Sequence, residues 1–123
     1  MNIKRLGLLS VSLISISVLF LSNSCKHEGI PASEMAPVSF TEVQPIFQNY
    51  CGTCHSSGGS RGSRLDFTTY AGIVKEITPG NASKSKAYEA MISTFQIMPP
   101  SIALPTNKRT LIWLWIEQGA KQN

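Results

Sequence analysis

The stretch YCGTCHS, residues 50–56, places two cysteines and a histidine within five consecutive positions. Cys51 and Cys54 are separated by two residues, and His55 directly follows the second cysteine. Three chemistries use such a Cys-x-x-Cys pair: a redox dithiol, half of a structural zinc site, and the covalent attachment of a c-type haem. The rest of the chain has to decide among the three.

Two of these chemistries find little support elsewhere in the sequence. A redox dithiol normally follows a strand in a βαβ unit, and no segment shows a convincing alternation with a period of two. A structural zinc site needs four ligands. The motif supplies three, and the only other histidine, His27, lies in a segment that we predict to be a tether.

Haem attachment accounts for every residue of the motif. On a helical turn, Cys51 and Cys54 face the same way with about 5–6 Å between their Cβ atoms, a span that suits the two vinyl groups of one porphyrin edge. His55 then directs its imidazole at the iron, and CGTCH is the sequence signature of a c-type haem. We therefore expect one covalently bound haem c.

The first 25 residues have the layout of a bacterial export signal. Lys4 and Arg5 precede an apolar run of about 16 residues, shorter than the roughly 20 that a transmembrane helix needs. The run leads into LSNSC, which resembles a lipoprotein signal whose cysteine, here Cys25, is lipidated and becomes the mature N-terminus. The alternatives are an ordinary cleaved signal and an uncleaved single-span anchor. Export would supply the compartment in which bacterial c-type haem is attached.

The remaining chain divides into two parts. After a signal peptide of residues 1–24, residues 25–38 are rich in Pro, Ala, Ser and Glu without periodicity, which predicts a flexible tether. Residues 39–121 form the predicted domain. A domain of this size has a marginal core and needs a disulfide, a metal or a buried cofactor.

The charge of the chain gives no reason to expect a nucleic-acid partner. Loss of Lys4 and Arg5 with the signal lowers the formal net charge from +4 to about +2. No basic run with interleaved aromatic residues exists, so nucleic-acid binding is not predicted.

Hydrophobic periodicity predicts an all-α domain. Four segments follow the helical pattern: TEVQPIFQNY, TTYAGIVKEI, SKAYEAMISTF and TNKRTLIWLWIEQGA. In the third, the predicted apolar stripe consists of Tyr88, Met91, Ile92 and Phe95. The fourth carries six consecutive apolar residues, 111–116, so it must be covered on more than one side.

Local signals predict where these helices begin and end. Thr41 and Gln44 have the spacing of a capping box, and Ser85 is a plausible N-cap of the third helix. The last helix is expected to start near Thr106 and to stop at Gly119.

A methionine is the candidate for the second axial ligand of the iron. Met98 lies in IMPPSIALP, which cannot be helical because its prolines fix φ and push the preceding residues into extended conformations. A thioether on such a stiff segment can be held against iron with little loss of entropy, although Met98 could also simply fill a gap in the core. Met91 lies on an apolar helical stripe, where core packing is the expected role.

Residues from about 39 to 120 resemble a small monohaem class I cytochrome c. VQPIFQNYCGTCHS is similar to the N-terminal helix and haem-binding turn of that family, IMPP to its methionine loop, and LWIEQGA to the end of its C-terminal helix. The resemblance implies a cytochrome c fold wrapped around one haem. It assigns the haem thioethers to Cys51 and Cys54, the proximal iron ligand to His55 and the distal ligand to Met98.

The resemblance also implies that the first and last helices cross, so that Trp115 packs near Phe47.

Arg61 and Arg64 flank the glycine-rich loop and could pair with the haem propionates or be solvated surface charges. Trp113 could belong to a docking face or pack on the loop before its helix.

The function expected from these residues is electron transfer, without catalysis. A haem with His and Met ligands has no open coordination site, and the partners would be redox proteins of the cell envelope. Lipid at Cys25 would hold the domain at the membrane on the periplasmic side, as a monomer or as a subunit of a complex. The alternatives are a haem enzyme or gas sensor with an open sixth site, and a dedicated cytochrome subunit of a larger envelope complex.

Overall fold

The computed structural model describes residues 29–57, 64–100 and 102–123. The export signal, Cys25 and Arg61 lie outside these ranges. Within them the chain contains helices and no strand, which confirms the predicted all-α class. None of the described helices combines the length and the apolar character that crossing a bilayer would need.

The described residues form four α-helices and three short helical turns that connect or precede them. The helices are α1 (Phe40–Phe47), α2 (Tyr70–Val74), α3 (Lys86–Ile92) and α4 (Thr106–Glu117). The turns are 3₁₀ turns at Ala32–Glu34 and Ala82–Lys84 and a π-helical turn at Gln48–Gly52, which directly continues α1.

Helix α1 begins at a capping box that the sequence analysis did not select. The N-cap is Ser39, whose backbone N–H donates to Glu42 Oε2 at 2.8 Å. The prediction of Thr41 and Gln44 was wrong, because Ser39 and Glu42 have the same spacing two residues earlier. A capping box satisfies backbone donors that would otherwise lack a partner at the helix start.

Helix α4 is covered on several sides, as its run of apolar residues predicts. Four of the six residues are buried and the other two, Leu111 and Trp113, are half-buried against the same core. The helix ends at Glu117, and Gly119 has a φ of +99°, a left-handed conformation that favours glycine and confirms the predicted stop.

The first and last helices meet through aromatic side chains. The ring centroid of Trp115 lies 5.8 Å from that of Phe40 and 6.2 Å from that of Phe47, so the packing of Trp115 near Phe47 is confirmed. Trp115 Nε1 donates to the carbonyl oxygen of Lys121 at 2.9 Å, which satisfies its polar atom. This contact fixes α1, and with it the turn that follows, against the end of the chain.

Part of the segment predicted to be a tether lies against the end of α4. Gln118 Oε1 accepts the backbone N–H of Val38 at 2.8 Å. Gln118 Nε2 donates to the carbonyl oxygens of Ala32 and Ala36, both at 3.1 Å. It also donates to the carbonyl oxygen of Met35 at 3.4 Å, so one side chain holds the chain leading into α1 through four backbone groups. The side chain of Val38 is buried.

Helix α3 is shorter than its apolar pattern predicts. It ends at Ile92, and Phe95 is 91% exposed instead of continuing the buried stripe. Ser93 explains the difference, because its Oγ accepts the backbone N–H groups of Phe95 and Gln96 at 3.2 and 3.1 Å. A serine hydroxyl that bonds nearby backbone in this way competes with helix continuation.

Ser85 occupies the predicted N-cap position of α3 but serves a different purpose. Its buried Oγ accepts the backbone N–H of Thr78 at 2.9 Å and donates to the carbonyl oxygen of Asn81 at 2.8 Å. No cap bond of its side chain to α3 is present. Ser85 therefore closes the loop between α2 and α3.

The loop before α2 lies directly on that helix at Gly72. A Cβ atom added at Gly72 would overlap the backbone carbonyl oxygen of Asp66. We expect Gly72→Ala to lower the free energy of unfolding by about 1–3 kcal/mol, because the Asp66 backbone must move to make room.

Denaturant unfolding of the purified wild type and of purified Gly72→Ala measures the difference in stability. Gly29→Ala is the matched control, since no atom lies within 4 Å of the added Cβ, and it should change stability by less than about 0.5 kcal/mol. Equal stability of Gly72→Ala and wild type would contradict the close approach of the loop to α2.

Candidate functional site

One cleft brings together the four residues predicted to attach a haem and bind its iron. It has a volume of about 240 Å³ and is lined by Cys51, Cys54 and His55 from one segment and by Met98 from another. The other lining residues are Tyr50, Leu65, Phe67, Glu76, Lys86, Ala87, Ala90, Met91, Pro99 and Pro100. Most of this lining is apolar, so the cleft suits a largely apolar ligand with few polar contacts.

The cysteine motif forms a tight turn at the end of α1. The backbone N–H groups of Cys54 and His55 both donate to the carbonyl oxygen of Cys51, at 3.1 and 2.8 Å. Gly52 is buried, and a Cβ there would lie 3.1 Å from Thr68 Cγ2, so little room exists for a larger residue. The turn leaves Cys51 half-buried and Cys54 exposed, with both residues lining the cleft.

Phe67 holds His55 in place, and sequence reasoning missed this residue. The backbone N–H of Phe67 donates to the carbonyl oxygen of His55 at 2.9 Å. The two rings meet edge to face, with centroids 5.6 Å apart and planes at 88°. Phe67 in turn stacks on Phe47 at 5.9 Å. No local pattern in the sequence signals this role, because it depends on contacts between distant segments.

The imidazole of His55 has an unsatisfied buried nitrogen. Within the described ranges, Nδ1 of His55 is buried and has no hydrogen-bond partner. Leaving such a group unpaired costs about 1–3 kcal/mol. Because Nδ1 is buried, a group bound in the cleft would have to contact the other ring nitrogen of His55, Nε2.

Two methionines line the cleft, one on α3 and one on the segment that follows α3. Met91, on α3, is 3% exposed and belongs to the core, while Met98 is 39% exposed. Met98 lies on a non-helical segment, as its prolines predict, and its backbone N–H donates to the carbonyl oxygen of Ala90 at 2.8 Å. The cleft therefore has one thioether on a helix and one on a non-helical segment.

The surroundings of Cys51 disfavour a redox dithiol. Burial, together with the neighbouring Cys54, raises the pKa of the Cys51 thiol to about 11. An attacking thiol in a redox dithiol needs a lowered pKa, because the thiolate is the nucleophile. Burial of Cys51 works in the opposite direction.

The arrangement also disfavours a structural zinc site. Over residues 29–57, 64–100 and 102–123, no three His, Cys, Asp or Glu side chains converge in a way that could hold a metal ion. A structural zinc site needs four such ligands. A porphyrin supplies four nitrogen ligands itself, so an iron held by one requires only axial ligands from the protein, and an imidazole and a thioether are suitable ones.

The two thiols should react at different rates in the haem-free chain. With iodoacetamide at pH 7, we expect Cys54 to be modified first, because Cys51 is half-buried and its raised pKa leaves roughly one molecule in ten thousand as thiolate. Modification of Cys51 should accelerate about tenfold per pH unit from pH 7 towards 10. Peptide mass spectrometry measures both sites.

Labelling in concentrated guanidinium provides the control, since unfolding should bring the two rates close together. Rapid labelling of Cys51 under native conditions, equal to that of Cys54, would contradict its burial.

The chain was also compared with known proteins. No family model, no curated protein and no solved structure matches it.

Proposed function

We propose that this chain is a small monohaem cytochrome c of class I that carries electrons in the cell envelope. One haem c would be attached through Cys51 and Cys54, with His55 and Met98 as axial ligands. The observation that carries the proposal is that these four residues, from two separate segments, line one mostly apolar cleft.

Each residue of the cleft has a role in this proposal. Haem exchanges one electron between its ferrous and ferric states. Cys51 and Cys54, on one turn, would hold the group through thioether bonds and fix it to the end of α1. Phe67 restrains the ring of His55 through its own ring and the backbone bond, so that the imidazole is positioned before it binds iron.

The remaining lining favours the reduced state. Leu65, Ala90 and Met91 give the cleft an apolar surface, which would disfavour the extra charge of ferric iron. The thioether of Met98 would serve as an iron ligand that stabilises the ferrous state. Both effects would raise the reduction potential, which suits a carrier that accepts and passes on single electrons.

A haem enzyme or gas sensor is the competing function, because Met98 is only partly covered. At 39% exposure it could be displaced by a small ligand. The segment around it, residues 93–100, contains no histidine or arginine that could act in peroxide chemistry. The sixth coordination position therefore decides between carrier and catalyst.

The cellular setting is part of the proposal and rests on the sequence alone. Lipid on Cys25 would hold the domain at the membrane on the periplasmic side, where redox proteins would be its transient partners. Tethering would increase the effective concentration of the carrier near them. If the protein were a dedicated subunit of a larger envelope complex, it would bind its redox partners stably and not in transient encounters.

Covalent attachment is the first testable consequence. After extraction with acid and acetone, intact mass spectrometry of the wild type should show one haem per chain, because thioether bonds survive this treatment. The double variant Cys51→Ala, Cys54→Ala should lose all covalent haem. Cys25→Ser is the matched control and should retain it. Complete extraction of haem from the wild type would contradict the proposal.

The sixth ligand is the second consequence. In the ferrous wild type, carbon monoxide should bind poorly, because an internal ligand must first leave. Met98→Ala should open this position, bind carbon monoxide readily and lower the reduction potential. Absorption spectra and redox titration measure both effects.

Two further methionine variants sharpen this test. Met91→Ala should keep the six-coordinate spectrum and lower stability by about 2–5 kcal/mol, because its side chain is buried core. Met35→Ala, on the N-terminal segment away from the cleft, should change neither property. If wild type bound carbon monoxide as fast as Met98→Ala, the enzyme or sensor alternative would replace the carrier. If Met91→Ala opened the site instead, Met91 would be the ligand.

A further inference from the structure

Among the described residues that line the cleft are one acidic and one basic side chain, Glu76 and Lys86. The others are apolar or, like Tyr50 and the cysteine motif, neither acidic carboxylates nor lysine or arginine. Neither Glu76 nor Lys86 was predicted from the sequence to belong to the site. A charged pair in a mostly apolar cleft points to a ligand that itself has a charged end.

The backbone holds these two residues close to each other. Glu76 follows α2, and Lys86 is the first residue of α3. The backbone N–H of Ala87 donates to the carbonyl oxygen of Glu76 at 3.1 Å, which fixes the start of α3 against the end of the α2 segment. Glu76 and Lys86 therefore belong to the same end of the cleft.

The position of Lys86 is not explained by its own helix. A cation in the first turn of a helix is disfavoured by the helix dipole, so the charge does not stabilise α3. Lys86 is exposed as a residue and yet lines the cleft. A lysine does both when its apolar stem follows an apolar wall and its ammonium group reaches water at the mouth.

The chemistry of haem suggests what this ammonium group meets. Its vinyl groups lie on one side of the porphyrin and its two propionate carboxylates on the other. In the proposed function, Cys51 and Cys54 take the vinyl side. The propionates would then lie elsewhere along the cleft, where a cation could pair with one of them.

We propose that Lys86 is the charge partner of a haem propionate and that Glu76, at the same end of the cleft, opposes this pairing. This inference rests on the proposed function. It differs from the pairing with Arg61 or Arg64 considered from sequence. Arg64 is exposed and does not line the cleft, and Arg61 lies outside the described residues.

Opposite charges at one end of the cleft give opposite effects on the iron. Lys86 compensates the negative charge of a propionate, so its loss should favour ferric iron. Glu76 adds negative charge, so its loss should favour ferrous iron. Lys86 is exposed, and an ion pair between an exposed lysine and a propionate would contribute little free energy. We therefore expect Lys86→Gln to raise the ratio of ferric to ferrous protein at fixed ambient potential by about two- to fivefold.

The experiment uses the purified holoprotein at low ionic strength. Redox titration compares wild type with Lys86→Gln, Glu76→Gln and Lys84→Gln. Lys84 is the matched control because it is exposed, lies two residues away and does not line the cleft. Infrared spectra of protein carrying haem labelled with ¹³C at the propionates report on those carboxylates directly.

The expected result has three parts. Lys86→Gln raises the ferric fraction and shifts the labelled propionate band, Glu76→Gln lowers the ferric fraction, and Lys84→Gln leaves the band unchanged. Lys86→Arg should restore a paired carboxylate band. If Lys86→Gln leaves the propionate band as in wild type and Lys84→Gln, the inference is overturned even though haem is bound. If mass spectrometry finds no covalent haem on the wild type, the proposed function itself fails.

Discussion

The site depends on one series of aromatic contacts that runs from the last helix to His55. Trp115 packs on Phe47 at 6.2 Å between ring centroids, Phe47 stacks on Phe67 at 5.9 Å, and Phe67 meets His55 edge to face at 5.6 Å. Each ring excludes water from the next, and aromatic pairs contribute about 0.5–1.5 kcal/mol beyond their buried area. The orientation of His55 is therefore coupled to the packing of α1 against α4. Loss of a ring anywhere in the series would affect the site as well as the core.

This coupling explains why so short a domain can support a defined cleft. The core is small, and several single side chains connect segments that are far apart in sequence. Gln118 binds four backbone groups of the N-terminal segment, and Ser85 joins Thr78 to Asn81. A buried polar group of this kind destabilises the fold when it has no hydrogen-bond partner. When it has one, it favours the single arrangement of the chain in which the two groups meet. Such groups restrict the chain to one arrangement where apolar burial alone would be marginal.

The sequence predicted those features that depend on local chemistry. The all-α class, the coverage of α4, its end at Gly119 and the non-helical segment around Met98 follow from periodicity, glycine and proline. Features decided by competition or by distant contacts were not predicted. Ser39 and Thr41 offered capping boxes of equal spacing, and Ser93 ended α3 before Phe95 could join its stripe. The roles of Phe67, Glu76 and Lys86 come from segments brought together only by folding. The haem and its ligands remain a proposal supported by the shared cleft.

The two sides of the cleft differ in how firmly the fold fixes the residues that line them. On one side, Cys51, Cys54 and His55 lie on a single turn fixed by backbone hydrogen bonds and by Phe67. On the other, Met98 is held by one backbone bond to Ala90 and by the stiffness of Pro99 and Pro100. Covalent attachment on the first side would keep the group in place even while the thioether dissociates. In the proposed function, displacement of Met98 would therefore not release the haem. A domain built in this way could be converted from carrier to ligand-binding protein by changes in residues 93–100 alone, since the attachment turn and its aromatic support would stay unchanged.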